Sequence, residues 1–276
     1  MLIYNRPAET KRVFETIKSL KPTKLFIVAD GPKNAFDRKD CDVARKIVED
    51  VNWEVDMQRN VSDKNMGCAK RTASGLDWVF SKTDKAIILE DDCLPQPSFF
   101  RYCAELLDYY YDDHEVMHIA GCNLNVPLPT DTSYIFSNWI SCWGWATWAR
   151  AWQKHDSTFS TWQRSSNELQ KYIKPEHRPF WNSIFRACEN GQLDWSLPWM
   201  LDIWNNKALG VTPTKNLITN IGWGPQASTN WNSSSIYGHL PTGDLKFPLI
   251  HPGKDRNIFN DVLADAMTQM HKDIFV

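Results

Sequence analysis

Short apolar runs alternate along the first half of the chain with longer stretches in which apolar residues recur every three or four positions. The short runs are typical of buried strands and the longer stretches of amphipathic helices. Strands are predicted at 2–4, 24–29, 53–57 and 87–89, and helices at 9–20, 37–52, 69–80 and 98–111. This β-α-β-α order predicts an α/β fold with a mostly parallel central sheet, flanked by helices and built with right-handed crossovers.

The pattern loosens beyond about residue 118. Strands are predicted at 117–121 and 133–136 and a buried helix at 197–206, while 226–254, rich in Gly, Pro, Asn and Ser, is expected to be irregular. No internal repeat or low-complexity linker interrupts the 276 residues. We therefore expect a single domain with two parts, about 1–118 and about 119–276.

Three acidic residues, Glu90, Asp91 and Asp92, directly follow the predicted strand 87–89. Adjacent carboxylates repel one another, so a fold that keeps them together usually offsets their charge with a cation. In open α/β sheets the carboxyl ends of strands are where ligands bind, and oxygen ligands suit a hard divalent metal with substrate phosphate. An acidic cap on the next helix would explain one carboxylate but not three.

Two other predicted strands also end in polar residues, the first in Asn5 and Arg6 and the second in Asp30. If these strands are neighbours, their ends converge with the acidic residues on one rim of the sheet. Simpler interpretations stay open: Arg6 pairs with an acidic neighbour, Asp30 forms a turn before Gly31, and Lys64 belongs only to a turn at 64–67.

Composition narrows the function classes. The formal net charge of −2 argues against a nucleic-acid binder held by phosphate contacts. Seven cysteines without CxxC pairs fit reduced thiols in a cytoplasmic protein and exclude zinc-ribbon spacing. We see neither a membrane-spanning apolar run nor a signal peptide. Fourteen tryptophans, concentrated in the second half, are compatible with core packing or with stacking on sugars, and those in 141–148 leave both alternatives open.

Several common catalytic motifs are missing from the sequence. It contains no G-x-x-x-x-G-K-[ST] loop, no G-x-G-x-x-G after the first strand and no G-x-S-x-G. A Walker-type nucleotidase, a dinucleotide enzyme and a serine hydrolase of that type are therefore disfavoured.

The segment Leu89-Glu90-Asp91-Asp92 resembles the DXD-type signature of GT-A glycosyltransferases. Further segments resemble, in order, a bacterial group of GT-A proteins related to N-acetylglucosaminyltransferase I. These segments are 4–7 (YNRP), 29–32 (ADGP), 64–68 (KNMGC), 143–148 (WGWATW), 195–204 and 220–224 (NIGWG). The resemblance covers about residues 1–230 and implies a Rossmann-like GT-A fold. About 1–118 would then bind the nucleotide sugar, and the aromatic-rich part from about 119 to 276 would bind the acceptor.

The resemblance also implies an activity. It implies transfer of a sugar, with inversion, from a nucleotide-diphosphate donor such as a UDP-sugar to a glycan or lipid-linked acceptor in surface polysaccharide synthesis. The implied cofactor is Mn²⁺, with Mg²⁺ as the alternative. A lipid-linked acceptor would also bring peripheral membrane association.

Residue roles follow from the same resemblance. Asp92 would ligate the metal, Asp91 would lie at the ribose or the metal shell, and Glu90 would face the donor sugar. Asp30 would hold the nucleobase, and Arg6 and Lys64 the nucleotide or its phosphates.

An inverting enzyme needs a carboxylate that deprotonates the acceptor hydroxyl. In the relatives that base lies near the segment matching 193–199, which makes Asp194 the candidate and Asp202 the reserve. An Asp beside a helix start is also a common cap.

Relatives often complete the metal site with a histidine late in the chain, but the matching segment 227–230 contains none. His239, His251, water or phosphate oxygens are the substitutes.

Two alternatives stay in view. A sugar nucleotidyltransferase usually carries a Gly- and Lys/Arg-rich loop after the first strand, which residues 5–9 lack. A non-catalytic sugar-binding relative would keep the aromatic residues and have dispensable acids.

Overall fold

The computed structural model describes residues 1–128, 130–190, 195–223, 236–253 and 259–275, and within these ranges the chain is a mixed α/β protein. The strands are β1 Leu2–Ile3, β2 Lys24–Ala29, β3 Asp56–Val61, β4 Lys85–Ile88, β5 Cys93–Pro95, β6 Val116–Ala120, β7 Tyr134–Ser137, β8 Trp145–Trp148, β9 Leu209–Pro213 and β10 Ile218–Asn220. The α-helices are α1 Pro7–Leu20, α2 Ala35–Ile47, α3 Cys68–Phe80, α4 Pro97–Tyr109, α5 Ala149–Trp152, α6 Ser160–Leu169, α7 Arg178–Glu189, α8 Ser196–Asn205 and α9 Asn260–Phe275. Short 3₁₀ turns cover Gln170–Tyr172, Pro175–His177 and Ile236–His239.

Local sequence signals account for the first two helices. Helix α1 begins with Pro7, whose fixed φ suits the first turn, and it buries Val13, Phe14 and Ile17 on one face. Helix α2 begins after Asn34, whose side chain accepts hydrogen bonds from the backbone N–H groups of the second and third helical residues. Such capping satisfies donors that a helix start otherwise leaves unpaired.

The strands form three hydrogen-bonded groups. Strands β1, β2 and β3 pair in parallel in that order, and β5 pairs antiparallel with β10. The largest group has the order β4-β8-β6-β9-β7, in which only the β6–β9 pair is parallel. The predicted parallel pairing therefore describes β1 to β3, whereas the larger sheet is predominantly antiparallel.

Among the described residues, a parallel bridge connects the three-stranded and five-stranded sheets. It joins Leu2 of β1 to Glu90, and the Leu2 N–H donates to the Leu89 carbonyl at 2.8 Å. The end of β1 thus lies between β2 and the chain that leaves β4. This arrangement brings the polar residues after β1, β2 and β4 to the same edge.

The third strand lies later in the chain than the sequence pattern indicated. It spans Asp56–Val61 rather than 53–57, because this stretch pairs in register with Lys24–Ala29. Trp53 is outside the strand, and its indole N–H donates to the Pro22 carbonyl at 2.8 Å. Its apolar character reflects packing against the core from a loop.

Strand β8 was not predicted as a strand. It inserts antiparallel between β4 and β6, and Trp145 and Trp148 are buried, with exposures of 0% and 1%. These two tryptophans are therefore core residues. Trp143 is half-buried and packs edge-on against Trp223, with ring centroids 6.3 Å apart.

Across the described ranges, none of the helices combines the length and the apolar character required to span a bilayer.

Candidate functional site

The predicted strand ends meet at a pocket of about 130 Å³. Its lining includes Arg6 from the end of β1, Asp30 from the end of β2, and Glu90 and Asp91 from the chain after β4. The polar residues that follow these strands therefore lie together, as expected if the strands are neighbours. Asn65, from the loop before α3, also lines this pocket.

Arg6 joins the two aspartates. Its Nη1 donates to Asp92 Oδ2 and lies 3.5 Å from Asp91 Oδ1. The backbone N–H of Tyr4 donates to the other oxygen of Asp91 at 2.9 Å. Asp91 and Asp92 are 6% and 9% exposed, so this is a largely desolvated cluster. The interpretation in which Arg6 pairs with acidic neighbours is thus confirmed.

The cluster carries excess negative charge. Burial and then the charge of Asp92 raise the pKa of Asp91 above its usual range, although Arg6 opposes this shift. For Arg6, burial lowers the pKa, but the charges of Asp92 and Asp91 outweigh that effect and raise it. One permanent cation therefore faces two buried carboxylates, with Glu90 next to them in sequence, and the site favours additional positive charge.

A segment from the second half of the chain covers Asp92. The Ile221 N–H donates to the Asp92 carbonyl at 2.8 Å, and the Gly222 N–H donates to Asn220 Oδ1 at 2.9 Å. A Cβ on Gly222 would come 2.8 Å from Asp92 Cβ and overlap its carboxylate. Glycine at this position therefore lets the backbone approach the carboxylate closely. The resemblance to GT-A proteins includes this segment, 220–224, but implied no role for it.

Asp30 organises the neighbouring loop. Its carboxylate accepts hydrogen bonds from the backbone N–H groups of Gly31, Met66 and Gly67 at 2.8, 2.9 and 3.1 Å, and from Asn65 Nδ2 at 3.1 Å. Both oxygens are engaged, so Asp30 shapes the pocket through the loop 65–67. The sequence did not reveal this positioning role, since it pairs residues 35 to 37 positions apart.

Lys64 lies beside this loop but lines a different depression. That groove, of about 500 Å³, also includes Lys33, Asn34 and Arg38 at the start of α2. The Lys64 carbonyl accepts the Ser62 hydroxyl at 2.6 Å, which fixes the turn. Lys64 is therefore on the rim next to the pocket that contains Arg6.

Glu90 contacts an aromatic wall. Trp195, one residue before α8, donates its indole N–H to Glu90 Oε1 at 3.2 Å. The Trp195 ring stacks on Trp145 of β8, with centroids 5.6 Å apart. The stacking fixes the plane of the Trp195 indole, and the half-buried Glu90 accepts its N–H at the pocket.

Of the two candidate bases, the structure describes only Asp202. Asp194 lies outside the described residues and stays a prediction. Asp202 is 2% exposed and accepts hydrogen bonds from His155 Nδ1 at 2.7 Å and from the Asp156 N–H at 3.2 Å; burial raises its pKa. Asp202 is therefore an interior acceptor that holds the chain around His155, and its role as the reserve base stays a prediction.

Of the two histidines suggested to complete the metal site, the structure describes the side chain of His251 only. His251 bonds the Tyr134 hydroxyl through Nδ1 at 2.8 Å and stacks on Tyr109, with centroids 4.0 Å apart. Burial lowers its pKa. These contacts commit His251 to a tyrosine cluster beside β7. The His239 side chain and residues 227–230 lie outside the described part of the chain.

The carboxylates of the site fit a divalent cation only with ligands from outside the protein. In the ranges that the structure describes, no three His, Cys, Asp or Glu side chains form a group able to hold a metal ion. Asp91 and Asp92 nevertheless supply the oxygen ligands that Mg²⁺ and Mn²⁺ prefer. The residues fit a cation that takes most of its ligands from water and from phosphate, provided that Arg6 moves off the carboxylates.

Neither protein-family models nor curated proteins give a match to this sequence. A functional assignment for the chain consequently depends on the geometry of the site, chiefly on the meeting of Arg6 with Asp91 and Asp92.

Proposed function

We propose that this chain is a metal-dependent glycosyltransferase of the GT-A type. It would move a sugar from a nucleotide-diphosphate donor, a UDP-sugar, to a glycan or lipid-linked acceptor with inversion. The observation that carries the proposal is the buried Asp91–Asp92 pair, bridged by Arg6 at the end of parallel strands and beside a pocket. This arrangement concentrates negative charge where a bound diphosphate and its cation would complete the charge balance.

Asp92 and Asp91 would hold the Mn²⁺ or Mg²⁺ ion, with Asp91 also near the ribose. When bound, the metal neutralises charge that builds up on the leaving diphosphate. Arg6, displaced from the carboxylates, would donate to phosphate oxygens, because its planar guanidinium matches a phosphate as well as a carboxylate. Arg6 would thus pair first with the carboxylates and then, when the donor binds, with its phosphates.

The other pocket residues have positioning roles in this proposal. Asp30 accepts hydrogen bonds from three residues of the loop 65–67 and would present that loop to the nucleoside. Glu90, oriented by Trp195, would accept a hydrogen bond from a hydroxyl of the donor sugar. Lys64, on the adjacent rim, would contribute positive charge toward the phosphates.

The acceptor hydroxyl must lose a proton to a carboxylate as it attacks the sugar. Asp194 is the proposed base. It directly precedes Trp195 in the sequence, and Trp195 hydrogen-bonds Glu90 at the pocket. The burial of Asp202 and its hydrogen bond from His155 favour Asp194 over Asp202 for this role.

A thermal-shift screen of nucleotide sugars, with and without Mn²⁺, tests the function. A ligand at a hundred times its Kd stabilises the folded state by about 2.7 kcal/mol, so the matching donor is expected to raise Tm only when Mn²⁺ is present. Asp92→Asn should abolish this shift, and Asp265→Asn, which alters a surface carboxylate paired with Lys174, should keep it. Transfer activity with the donor so identified completes the test.

Other results would replace the proposal. A donor shift that is equal without metal and in Asp92→Asn would remove the metal role. Metal-dependent donor binding with neither transfer nor donor hydrolysis would indicate a non-catalytic sugar-binding protein. Stabilisation by a nucleoside triphosphate together with a sugar phosphate, but not by nucleotide sugars, would indicate a nucleotidyltransferase.

A further inference from the structure

Helix α2 presents an aromatic side chain to water at its N-terminal end. Phe36, the second residue of the helix, is 91% exposed, a larger fraction than for any other large apolar side chain in the described ranges. Val43, two turns later, is 40% exposed. Single exposed apolar residues are ordinary on a protein surface, so the surroundings of Phe36 decide what it can do.

Four exposed side chains share one side of α2: Phe36, Lys39, Val43 and Lys46. An α-helix turns by about 100° per residue, so these positions fall within a sector of about 80°. The buried residues of the helix, Cys41 and Ala44, lie on its other side. Apolar and basic side chains therefore alternate along about 15 Å of surface, which we call the outward face of α2.

A basic groove adjoins the outward face at the start of the helix. It is the depression of about 500 Å³ lined by Lys33, Arg38 and Lys64, together with one carboxylate, Asp63. Arg38 directly precedes Lys39 in the helix, about 100° away around its axis. The groove and the outward face are therefore neighbours on the protein surface.

The cations of this surface are not neutralised by ion pairs. Among the residues that the structure describes, the ion pairs include none of Lys33, Arg38, Lys39 and Lys46. The carboxylate of Asp37 is turned away from them, because it accepts hydrogen bonds from the Tyr4 hydroxyl at 2.6 Å and from the Asn5 side chain at 3.1 Å.

Positive charge remains in excess when the exposed carboxylates of the same segment are included. Asp40 and Asp42 are exposed on the two flanks of the outward face, against four exposed cations between residues 33 and 46, and Asp63 offsets Lys64 in the groove. The whole chain has a formal net charge of −2. An anionic surface would therefore attract this region more strongly than the rest of the protein and would orient the molecule with α2 toward it.

The mixture of lysines and apolar side chains suits a lipid bilayer better than a protein partner. The buried centres of protein interfaces are depleted in lysine, whereas interfacial helices combine Lys or Arg with Phe at the headgroup boundary. Lysine stems can cover apolar surface while their ammonium groups stay in water. Each Lys or Arg near an anionic leaflet strengthens binding about fivefold.

We propose that α2 docks this protein on an anionic lipid bilayer. The outward face lies against the headgroups, with Phe36 and Val43 at the boundary of the acyl chains. Lipid phosphates pair with Lys39 and Lys46 and, at the groove, with Lys33 and Arg38. The docking requires neither a nucleotide sugar nor a metal, so it goes beyond the proposed glycosyl transfer and does not rest on it.

Flotation with lipid vesicles tests the proposal on the purified full chain. The wild type is expected to bind vesicles of phosphatidylcholine with about one third phosphatidylglycerol, and not vesicles of phosphatidylcholine alone. Phe36→Ser should weaken the binding at least about fivefold, because part of the phenyl ring no longer leaves water. Ile250→Ser is the matched control, since Ile250 is 60% exposed beside β7, and it should change the binding less than about twofold.

A double charge reversal tests the basic residues. Lys39→Glu combined with Lys46→Glu should weaken binding at least about twentyfold, since two cations of the outward face are lost. Lys82→Glu combined with Lys154→Glu changes the net charge equally at two other exposed positions. This control should weaken binding less than about threefold, because salt screens charges more than about 8 Å from the lipid.

Several results would overturn the proposal. Failure of the wild type to bind the anionic vesicles would do so, and so would an equal loss in both double variants, which would mean that net charge alone decides. Complete competition by inorganic phosphate would assign the groove to a free anion. Self-association of the wild type that Phe36→Ser abolishes, without vesicle binding, would assign the outward face to a second copy of the chain. The vesicles contain no donor or acceptor, so docking and glycosyl transfer can each fail alone.

Discussion

The indole of Trp195 donates a hydrogen bond of 3.2 Å to the carboxylate of Glu90, across 105 positions of sequence. The stack of Trp195 on Trp145 fixes the plane of that indole. Glu90 is therefore held in one orientation at the pocket by a residue from the second half of the chain. If Glu90 faces the donor sugar, as proposed, this bond is a positioning contact for the reaction.

Trp195→Phe tests the contact, because it removes the N–H and keeps an aromatic ring against Trp145. A hydrogen bond to a charged group contributes about 1.5–3 kcal/mol, and each 1.4 kcal/mol changes a rate tenfold. We expect the transfer rate at saturating donor to fall at least about tenfold, with a smaller change in donor affinity.

Trp53→Phe is the matched control, since it also deletes an indole hydrogen bond, at 2.8 Å to the Pro22 carbonyl, but away from the pocket. Its transfer rate should be unchanged. A similar loss of rate in both variants would mean that the effect is structural and not specific to Glu90.

Gly222→Ala addresses the segment that covers Asp92. The added Cβ would overlap the carboxylate, and overpacking a tight site usually costs about 1–3 kcal/mol. We expect a lower Tm and loss of the metal-dependent donor shift. Gly253→Ala, where a Cβ meets nothing within 4 Å, should change neither quantity. A normal donor shift in Gly222→Ala would show that Asp92 does not act as the metal ligand.

The elements of the first half could be predicted because their signals are local. Apolar residues recur along α1, where Val13 and Ile17 are buried as expected. Leu20 is 44% exposed because it is the last residue of the helix. Strand β8 escaped prediction because Trp145-Ala146-Thr147-Trp148 is buried on both faces and lacks the alternation of a half-exposed strand.

One part of the candidate site could be predicted from the sequence and another could not. The meeting of Arg6, Asp30 and Asp91 was predicted on the condition that their strands are neighbours, and the β1–β2 pairing and the Leu2–Glu90 bridge meet that condition. The closure of Gly222 over Asp92 depends on the pairing of β5 with β10 and has no signature at either position. Long-range pairs of this kind require the tertiary fold, and that is why the sequence identified the acids but not what holds them.

Arg6→Met tests the charge balance between Arg6 and the carboxylates of Asp91 and Asp92. Removing one partner of a buried ion pair typically costs about 3–5 kcal/mol, so the variant should unfold at a lower temperature than the wild type. Because Mn²⁺ no longer competes with the guanidinium for Asp91 and Asp92, it should raise Tm more in the variant than in the wild type. Thermal shifts at several Mn²⁺ concentrations, without donor, measure the difference.

Arg12→Met provides the control for Arg6→Met, because Arg12 is an exposed arginine of α1. Its Mn²⁺ response should equal that of the wild type. An identical Mn²⁺ response in Arg6→Met would indicate that the carboxylates do not take up a divalent cation when Arg6 is absent.

His118 lies fully buried in β6, away from the pocket. Trp199 donates its indole N–H to His118 Nδ1 at 3.1 Å, and His118 Nε2 lies 3.0 Å from the Ser141 carbonyl. Nδ1 therefore acts as an acceptor and Nε2 carries the proton, which is the arrangement of a neutral imidazole. Burial lowers the pKa of His118 to about 3.

The neutral state of His118 predicts a pH dependence of stability. Between the folded pKa of about 3 and the usual value of about 6.5, the unfolded chain binds a proton that the folded protein does not. Acidification through pH 6.5 must therefore lower the free energy of unfolding, by up to about 1.4 kcal/mol per pH unit from this residue. His118→Gln should be less stable than the wild type at pH 7, but its stability should fall less steeply between pH 6.5 and 4.5. Urea unfolding of both proteins across that range measures the slopes, and parallel curves would show that His118 becomes protonated in the folded state.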